Sequence, residues 1–241
     1  MARGGTQEIP RPAGWQLGAP NPWLGRARPE HFELDRIESI LTRLGDAGPS
    51  TETLPTTPMR PPFVNTTRNA AVLAPLYKGP DGETRVILTR RSARLRSHAG
   101  QVAFPGGRLD DGESDLDAAL RETEEEIGLP RERVRVIGQL ERLTTVVSSS
   151  SILPVVGIIE APLPELRRAP IEVERIFDVS LMELIHPDCY HEEIWDYSDG
   201  MFPVWFFDVE DDTIWGATSR MLRRLLDLAI LTDPPTHADI G

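Results

Sequence analysis

Between Arg85 and Arg108 the chain carries six arginines and no acid; between Asp110 and Glu126 it carries nine acids and one arginine. The two blocks meet at Gly106 and Gly107, and this abrupt partition constrains the fold more than any other feature. The basic block begins in TRVILT, a β-rich run at 84–89. AAVLAPLY at 70–77 precedes it across the turn residues Gly79, Pro80, Asp81 and Gly82, so the pair reads as a hairpin. The acidic block reads as a helix over Asp115–Ile127, with Leu116, Ala119, Leu120, Thr123 and Ile127 on its apolar side and Gly128 as its stop. A basic strand joined by a glycine turn to an acidic helix can hold an anion on one side and its neutralising cations on the other.

Further strands are expected at 134–140, 152–159, 173–179 and 201–209, and a closing helix at 217–231. Strands and helices in this order predict an α/β sheet covered by helices. Residues 1–62 hold ten of the 22 prolines and seven of the 19 glycines, and therefore read as an N-terminal extension. Leu34, Ile37, Leu41 and Leu44 make one stripe of a short helix inside it, expected to pack on the main domain. A linker follows over 48–62. The expected organisation is thus an extension over 1–62, a domain over 63–232 and a tail over 233–241.

The formal charge is -12, which disfavours non-specific binding to nucleic acid. The longest apolar stretch, 152–159, falls far short of the roughly 20 residues of a membrane span. One cysteine, Cys189, an N-terminus without an apolar signal core, and a C-terminus of Asp239, Ile240 and Gly241 set the expected compartment as the cytoplasm.

Glu122, Glu125 and Glu126 stand at i, i+3 and i+4, so they leave the helix from one face. Like charges at that spacing repel by about 0.2–0.5 kcal/mol per pair, and a hard divalent cation with oxygen ligands would relieve them. An isolated Glu cluster is more often a solvated face. The surrounding pattern decides otherwise. GRLDDGESDLDAALRETEEEIGL, from Gly107 to Leu129, resembles the Nudix box, with Gly107, Glu113, Arg121, Glu122, Glu125, Glu126 and Gly128 all in register. A chance match somewhere in the chain is on the order of 10⁻⁵. Thr123 departs mildly, where the family more often has an aliphatic residue.

The resemblance implies a Nudix-type α/β/α sandwich with a mixed sheet and a catalytic loop-helix-loop. It implies Mg²⁺ or Mn²⁺ on Glu122, Glu125 and Glu126, with Glu113 and Arg121 orienting them, and metal-assisted attack of water on a diphosphate. LTRRSARLRSHAGQVAFPGG, from Leu88 to Gly107, further resembles the motif of the coenzyme A pyrophosphatase branch. That branch implies substrate contacts from Arg91, Ser92, Arg96, Gly100, Phe104, Gly106 and Gly107. Coenzyme A carries a diphosphate and a ribose 3′-phosphate, enough anions for a cluster that also includes Arg90 and Arg94. Those last two lie outside the motif and serve equally well to balance the acidic helix.

Runs at 154–157, 172–181 and 215–222 also look like this branch. Nudix enzymes often use one more acid as ligand or base; Glu172 matches best, then Glu174. His98 is either a phosphate contact or a plain loop residue. His186, Cys189 and His191 lack a fourth zinc ligand and read as a loop. Trp205, Phe206, Phe207 and Trp215 read as core before they read as a base-stacking platform. The expected reaction turns coenzyme A or its thioesters into 3′,5′-ADP and (acyl-)4′-phosphopantetheine. Alternatives are another nucleoside diphosphate such as ADP-ribose, or a non-catalytic nucleotide sensor. The extension is a candidate for covering the active site, for holding a homodimer, or for neither.

Overall fold

The computed structural model describes residues 4–5, 7–24, 29–46, 68–95, 97–145, 150–197 and 200–231. The expected linker 48–62, the tail 233–241, Arg96, Ser148 and Ser149 lie outside them.

In chain order the elements are β1 (Gln16–Leu17), α1 (Leu34–Asp46), β2 (Arg68–Lys78), β3 (Thr84–Arg91), β4 (Val102–Ala103), β5 (Gly106–Arg108), α2 (Asp115–Ile127), β6 (Val134–Gln139), β7 (Leu143–Thr144), β8 (Ser150–Ile159), β9 (Val173–Ser180), α3 (Leu181–Leu184), β10 (Tyr190–Tyr197), β11 (Gly200–Asp208), β12 (Thr213–Ile214) and α4 (Gly216–Leu231). The large sheet runs β4-β3-β2-β8-β6, with β9 also on β3, β5 also on β2 and β7 also on β8. β2 and β8 are parallel and the other pairs antiparallel, so the sheet is mixed.

Alternation along β2 and β3 divides the core. Ala71, Leu73, Tyr77 and Ile87 face α2, where they meet Ala118, Ala119, Leu120 and Ile127. Ala74, Leu76, Val86 and Leu88 face the other way, toward Ile37, Leu41, Leu222, Leu225 and Leu226 of α1 and α4. The sandwich is therefore helix, sheet, helices. Burying each Leu, Ile or Val side chain among them contributes about 1.5–3 kcal/mol.

A second antiparallel sheet, β1-β10-β11-β12, packs beside it. Its strand β10 includes His191, in a stretch that the sequence suggested was a loop; the polar residues Glu192 and Glu193 interrupt the apolar pattern there. Glu193 is 2% exposed and ion-paired to Arg11 at 2.8 Å, which explains a buried acid inside a strand. Trp205, Phe206, Phe207 and Cys189 are all core.

The described part of 1–62 is knitted into this sheet. β1 pairs with β10, Gly4 donates to the Val209 carbonyl, and Gln7 exchanges bonds with Asp212 and Thr213. Trp23 is 1% exposed between Tyr190 and Phe207. The α1 stripe packs on the large sheet and α4, with Ile37, Ile40 and Leu41 buried. No helix among the described residues is long and apolar enough to cross a membrane.

Candidate active site

α2 spans Asp115–Ile127 because both ends are capped. Ser114 accepts from the Asp117 amide at 3.1 Å, and Gly128 adopts φ 67°, where its amide returns to the Glu124 carbonyl. One expected apolar position differs: Leu116 is 41% exposed, and Ala118 takes the buried place. Thr123, the soft position of the box, is buried and donates its hydroxyl to the Ala119 carbonyl. The next constraint comes from the far end of the helix. Arg167 and Ala169 amides bond the carbonyls of Ile127 and Glu126, so the segment after β8 straps the helix in place. The sequence marked that strap only by its prolines, Pro162, Pro164 and Pro170.

Arg121 organises the acidic face. Its Nε and Nη2 make a two-point contact with Glu113 at 2.8 and 2.9 Å, and Nη2 also donates to the Arg108 carbonyl at 3.1 Å. Its Nη1 stands 3.1 Å from Glu122 and 3.2 Å from Glu125. Arg121 holds the Glu113 carboxyl down to about 2, so this pair stays charged throughout the physiological range.

The three box glutamates differ sharply in environment. Glu126 is 3% exposed; its Oε2 accepts from the Gly106 amide at 3.2 Å, and its Oε1 has Arg91 Nη1 at 3.6 Å. Burial pushes its carboxyl up to about 7 against the pull of Gly106 and Arg91. Burial also raises Glu122, with Arg121 opposing. The Glu125 side chain is mostly exposed. Among the described residues no three acid, histidine or cysteine side chains are already gathered closely enough to hold a metal ion. Instead one guanidinium nitrogen links Glu122 to Glu125. A positive charge thus sits where the sequence expected a cation, and the hard oxygen donors around it fit a divalent ion.

The basic strand reaches this face by alternation. At the end of β3 successive side chains leave on opposite faces, so Arg90 and Arg91 part company. Arg91 pairs with Glu126, whereas Arg90 pairs at 3.3 Å with Asp212, a fully buried acid that also binds Arg175 at 2.9 Å. Arg90 therefore secures the second sheet. Ser92 is buried; its amide donates to the Glu172 carbonyl and its hydroxyl accepts from the Arg94 amide. Arg94 is exposed.

Gly100 takes φ 69°, and its amide bonds the Arg91 carbonyl. A Cβ on Gly106 would lie 2.4 Å from the Ala71 carbonyl oxygen, and one on Gly107 would lie 2.3 Å from Glu122 Cδ. These glycines let β5 approach β2 on one side and Glu122 on the other. Phe104, expected among the substrate contacts, is instead 2% exposed in the core, where it anchors the loop ahead of the glycines. His98, at φ 56°, bonds Gln101 and stabilises the same loop. Glu172 is exposed at the start of β9, and its charge is felt by both Glu122 and Glu126. That of Glu174 is felt instead by Asp212.

The Nudix domain family profile matches residues 67–197, more than half of the chain. The uncharacterized Nudix hydrolase NudL of Escherichia coli K12 is 42% identical over 160 residues, covering 66% of this chain and 81% of the relative. NudL of Shigella boydii is 41% identical over the same length. Among solved structures, a C. elegans Ap4A hydrolase is 23% identical, with a TM-score of 0.41 over 47% of this chain and 80% of that one. A Burkholderia pseudomallei MutT Nudix hydrolase is 22% identical, with a TM-score of 0.42 over 65% and 96%. Likenesses of that size carry no argument about substrate. The profile and the NudL relationship do establish the family: this chain belongs to the Nudix hydrolases, enzymes acting on nucleoside diphosphate derivatives.

Proposed function

We propose that the chain hydrolyses the diphosphate of coenzyme A and its thioesters, releasing 3′,5′-ADP and 4′-phosphopantetheine or its acylated form. The observation that carries this reading is the approach of Arg91 Nη1 to Glu126 Oε1 at 3.6 Å. It joins the segment resembling the coenzyme A branch to the catalytic helix at one point. A diphosphate lying there has an arginine fork on one side and carboxylates on the other.

Mg²⁺ or Mn²⁺ bound by Glu122, Glu125 and Glu126 would stabilise charge developing on the diphosphate and acidify water. The remaining roles belong to the chain itself. The two-point hold of Arg121 on Glu113 and its bond to the Arg108 carbonyl would keep the helix face anchored if Glu122 and Glu125 took a divalent cation in place of the guanidinium. Gly107 leaves room for the Glu122 carboxylate, and the Gly106 amide fixes that of Glu126. Glu172, tied through its backbone to Ser92, supplies a fourth carboxylate as ligand or proton acceptor. Arg91 and the 92–100 loop, with Arg96, orient the diphosphate. A cytoplasmic location belongs to the same reading.

Incubation with coenzyme A, and separately with ADP-ribose, in Mg²⁺ or Mn²⁺ tests the proposal by mass spectrometry of the products. The expected products are 3′,5′-ADP and 4′-phosphopantetheine. Cleavage of ADP-ribose with coenzyme A left intact would overturn it.

A further inference from the structure

At the end of β3 and the start of β9, two arginines share one acid. Arg90 and Arg175 are cross-strand partners, so their side chains leave the sheet side by side, on the face away from α2. Like charges so placed repel. Asp212, fully buried in the turn between β11 and β12, joins them, 3.3 Å from Arg90 Nη1 and 2.9 Å from Arg175 Nη2.

The N-terminal segment seals this acid in. Gln7 donates its side-chain amide to Asp212 Oδ1 at 2.9 Å and accepts from the Thr213 amide at 3.0 Å. Gly5 lies so close that an added Cβ would stand 2.8 Å from Asp212 Cα. A buried acid between two guanidiniums stabilises a fold little more than apolar packing of the same volume, because desolvation offsets most of the attraction. What it supplies is one fixed arrangement of the groups it joins.

That arrangement falls where the strand pairing is weakest. Arg90 pairs with Arg175 but Arg91 pairs with Val173, so Glu174 is an extra residue and the register shifts immediately past the Asp212 clamp. At such a bulge the ladder of hydrogen bonds is interrupted and no longer aligns the strands by itself. Beyond the bulge lie residues of the candidate site. Arg91 Nη1 stands 3.6 Å from Glu126 Oε1, and the Glu172 carbonyl accepts from the Ser92 amide at 2.8 Å. Because Arg90 and Arg91 leave β3 on opposite faces, a grip on Arg90 fixes the strand from which Arg91 reaches the catalytic helix.

We propose that Asp212 is a positioning residue: by clamping Arg90 to Arg175 it holds the ends of β3 and β9 in the alignment that aims Arg91 at the diphosphate of the substrate. The substrate contact of Arg91 rests on the coenzyme A reading above; the clamp does not. The test measures turnover of coenzyme A in Mg²⁺ by Asp212→Asn and Arg175→Gln, each made in the wild-type chain and in Arg91→Ala. The Arg175 side chain is 39% exposed, so its variant breaks the clamp in a folded protein even if Asp212→Asn fails to fold. In the wild-type chain each variant should lower kcat/KM by about 10-fold, chiefly through KM, whereas with Arg91 already removed the further loss should stay within about 2-fold. A merely structural role would act alike in both backgrounds, so equal losses, or no loss in the wild-type chain, overturn the proposal.

Should wild type leave coenzyme A intact, the substrate reading falls, and the crystal structure of Arg175→Gln decides the clamp. Arg91 Nη1 withdrawn from Glu126 beyond about 4 Å sustains it. The contact kept as in wild type removes it.

Discussion

Glu126 shows how one side chain can belong to the core and to the chemistry at once. It is as buried as its apolar neighbours, and its carboxyl is pushed up to about 7 because a single amide and a distant arginine do not replace water. Glu126→Gln keeps an oxygen for the Gly106 amide and removes only the charge. The protein should therefore stay folded, with Tm moving by no more than about 3 °C. Metal-dependent kcat/KM should fall by at least about 10²-fold, because a ligand charge contributes several kcal/mol to the transition state. Near-normal turnover in Mg²⁺ would remove Glu126 from the metal site.

The glycine pair before α2 separates folding from function within one short element. At Gly106 the atoms facing an added Cβ are backbone, the Ala71 carbonyl and Val72 Cα, which cannot yield without disturbing the β2–β5 pairing. Gly106→Ala should destabilise by about 1–3 kcal/mol in urea unfolding. At Gly107 the facing atoms are the end of the Glu122 side chain, which can swing away. Gly107→Ala should leave the unfolding midpoint nearly unchanged and sharply reduce turnover. Equal stability losses in the two variants would contradict this division.

Elements with a strong period were legible from the sequence: α2, bracketed by Ser114 and Gly128, falls on the expected residues. Strand β10 was not, because Glu192 and Glu193 break its pattern and two of their partners, Trp205 and Arg11, come from other segments of the chain. The same limit applies to the site. Spacing identified the box glutamates, but only the ion pairs made in the folded chain separate Arg91, which faces the site, from Arg90, which secures the second sheet. Nor did the motif reveal that Phe104 is core, since a Phe-Pro-Gly-Gly loop can turn its ring either way.

For the whole molecule, the second sheet depends on residues that composition alone assigned to an extension. Trp23 lies against Tyr190 and Phe207, and its indole donates to Asp227 at 3.2 Å. Trp23→Ala should cost about 3–5 kcal/mol of stability, measured by denaturant unfolding; a loss under about 1 kcal/mol would mean that the N-terminal segment is dispensable to the fold.

His191 belongs to the same assembly, stacked on Phe206 and within 3.2 Å of Asp208 and 3.4 Å of Glu193. Burial lowers its pKa, but Asp208 and Glu193 outweigh that and the net shift is upward. A raised folded value means that its contribution to stability is fully present below about 6.5 and is lost as pH rises through the folded pKa. Wild type should therefore lose more stability than His191→Asn between about pH 6 and pH 8.5. Parallel pH profiles would refute this linkage.

The account depends most on Glu122, Glu125 and Glu126 gathering a divalent ion where Arg121 now bridges two of them. Crystals of the protein grown with Mn²⁺ test this directly through the anomalous difference map. A peak among those three carboxylates, with Arg121 Nη1 withdrawn and its Glu113 contact kept, is the predicted result. A map with no peak there, and Arg121 still joining Glu122 to Glu125, would contradict it.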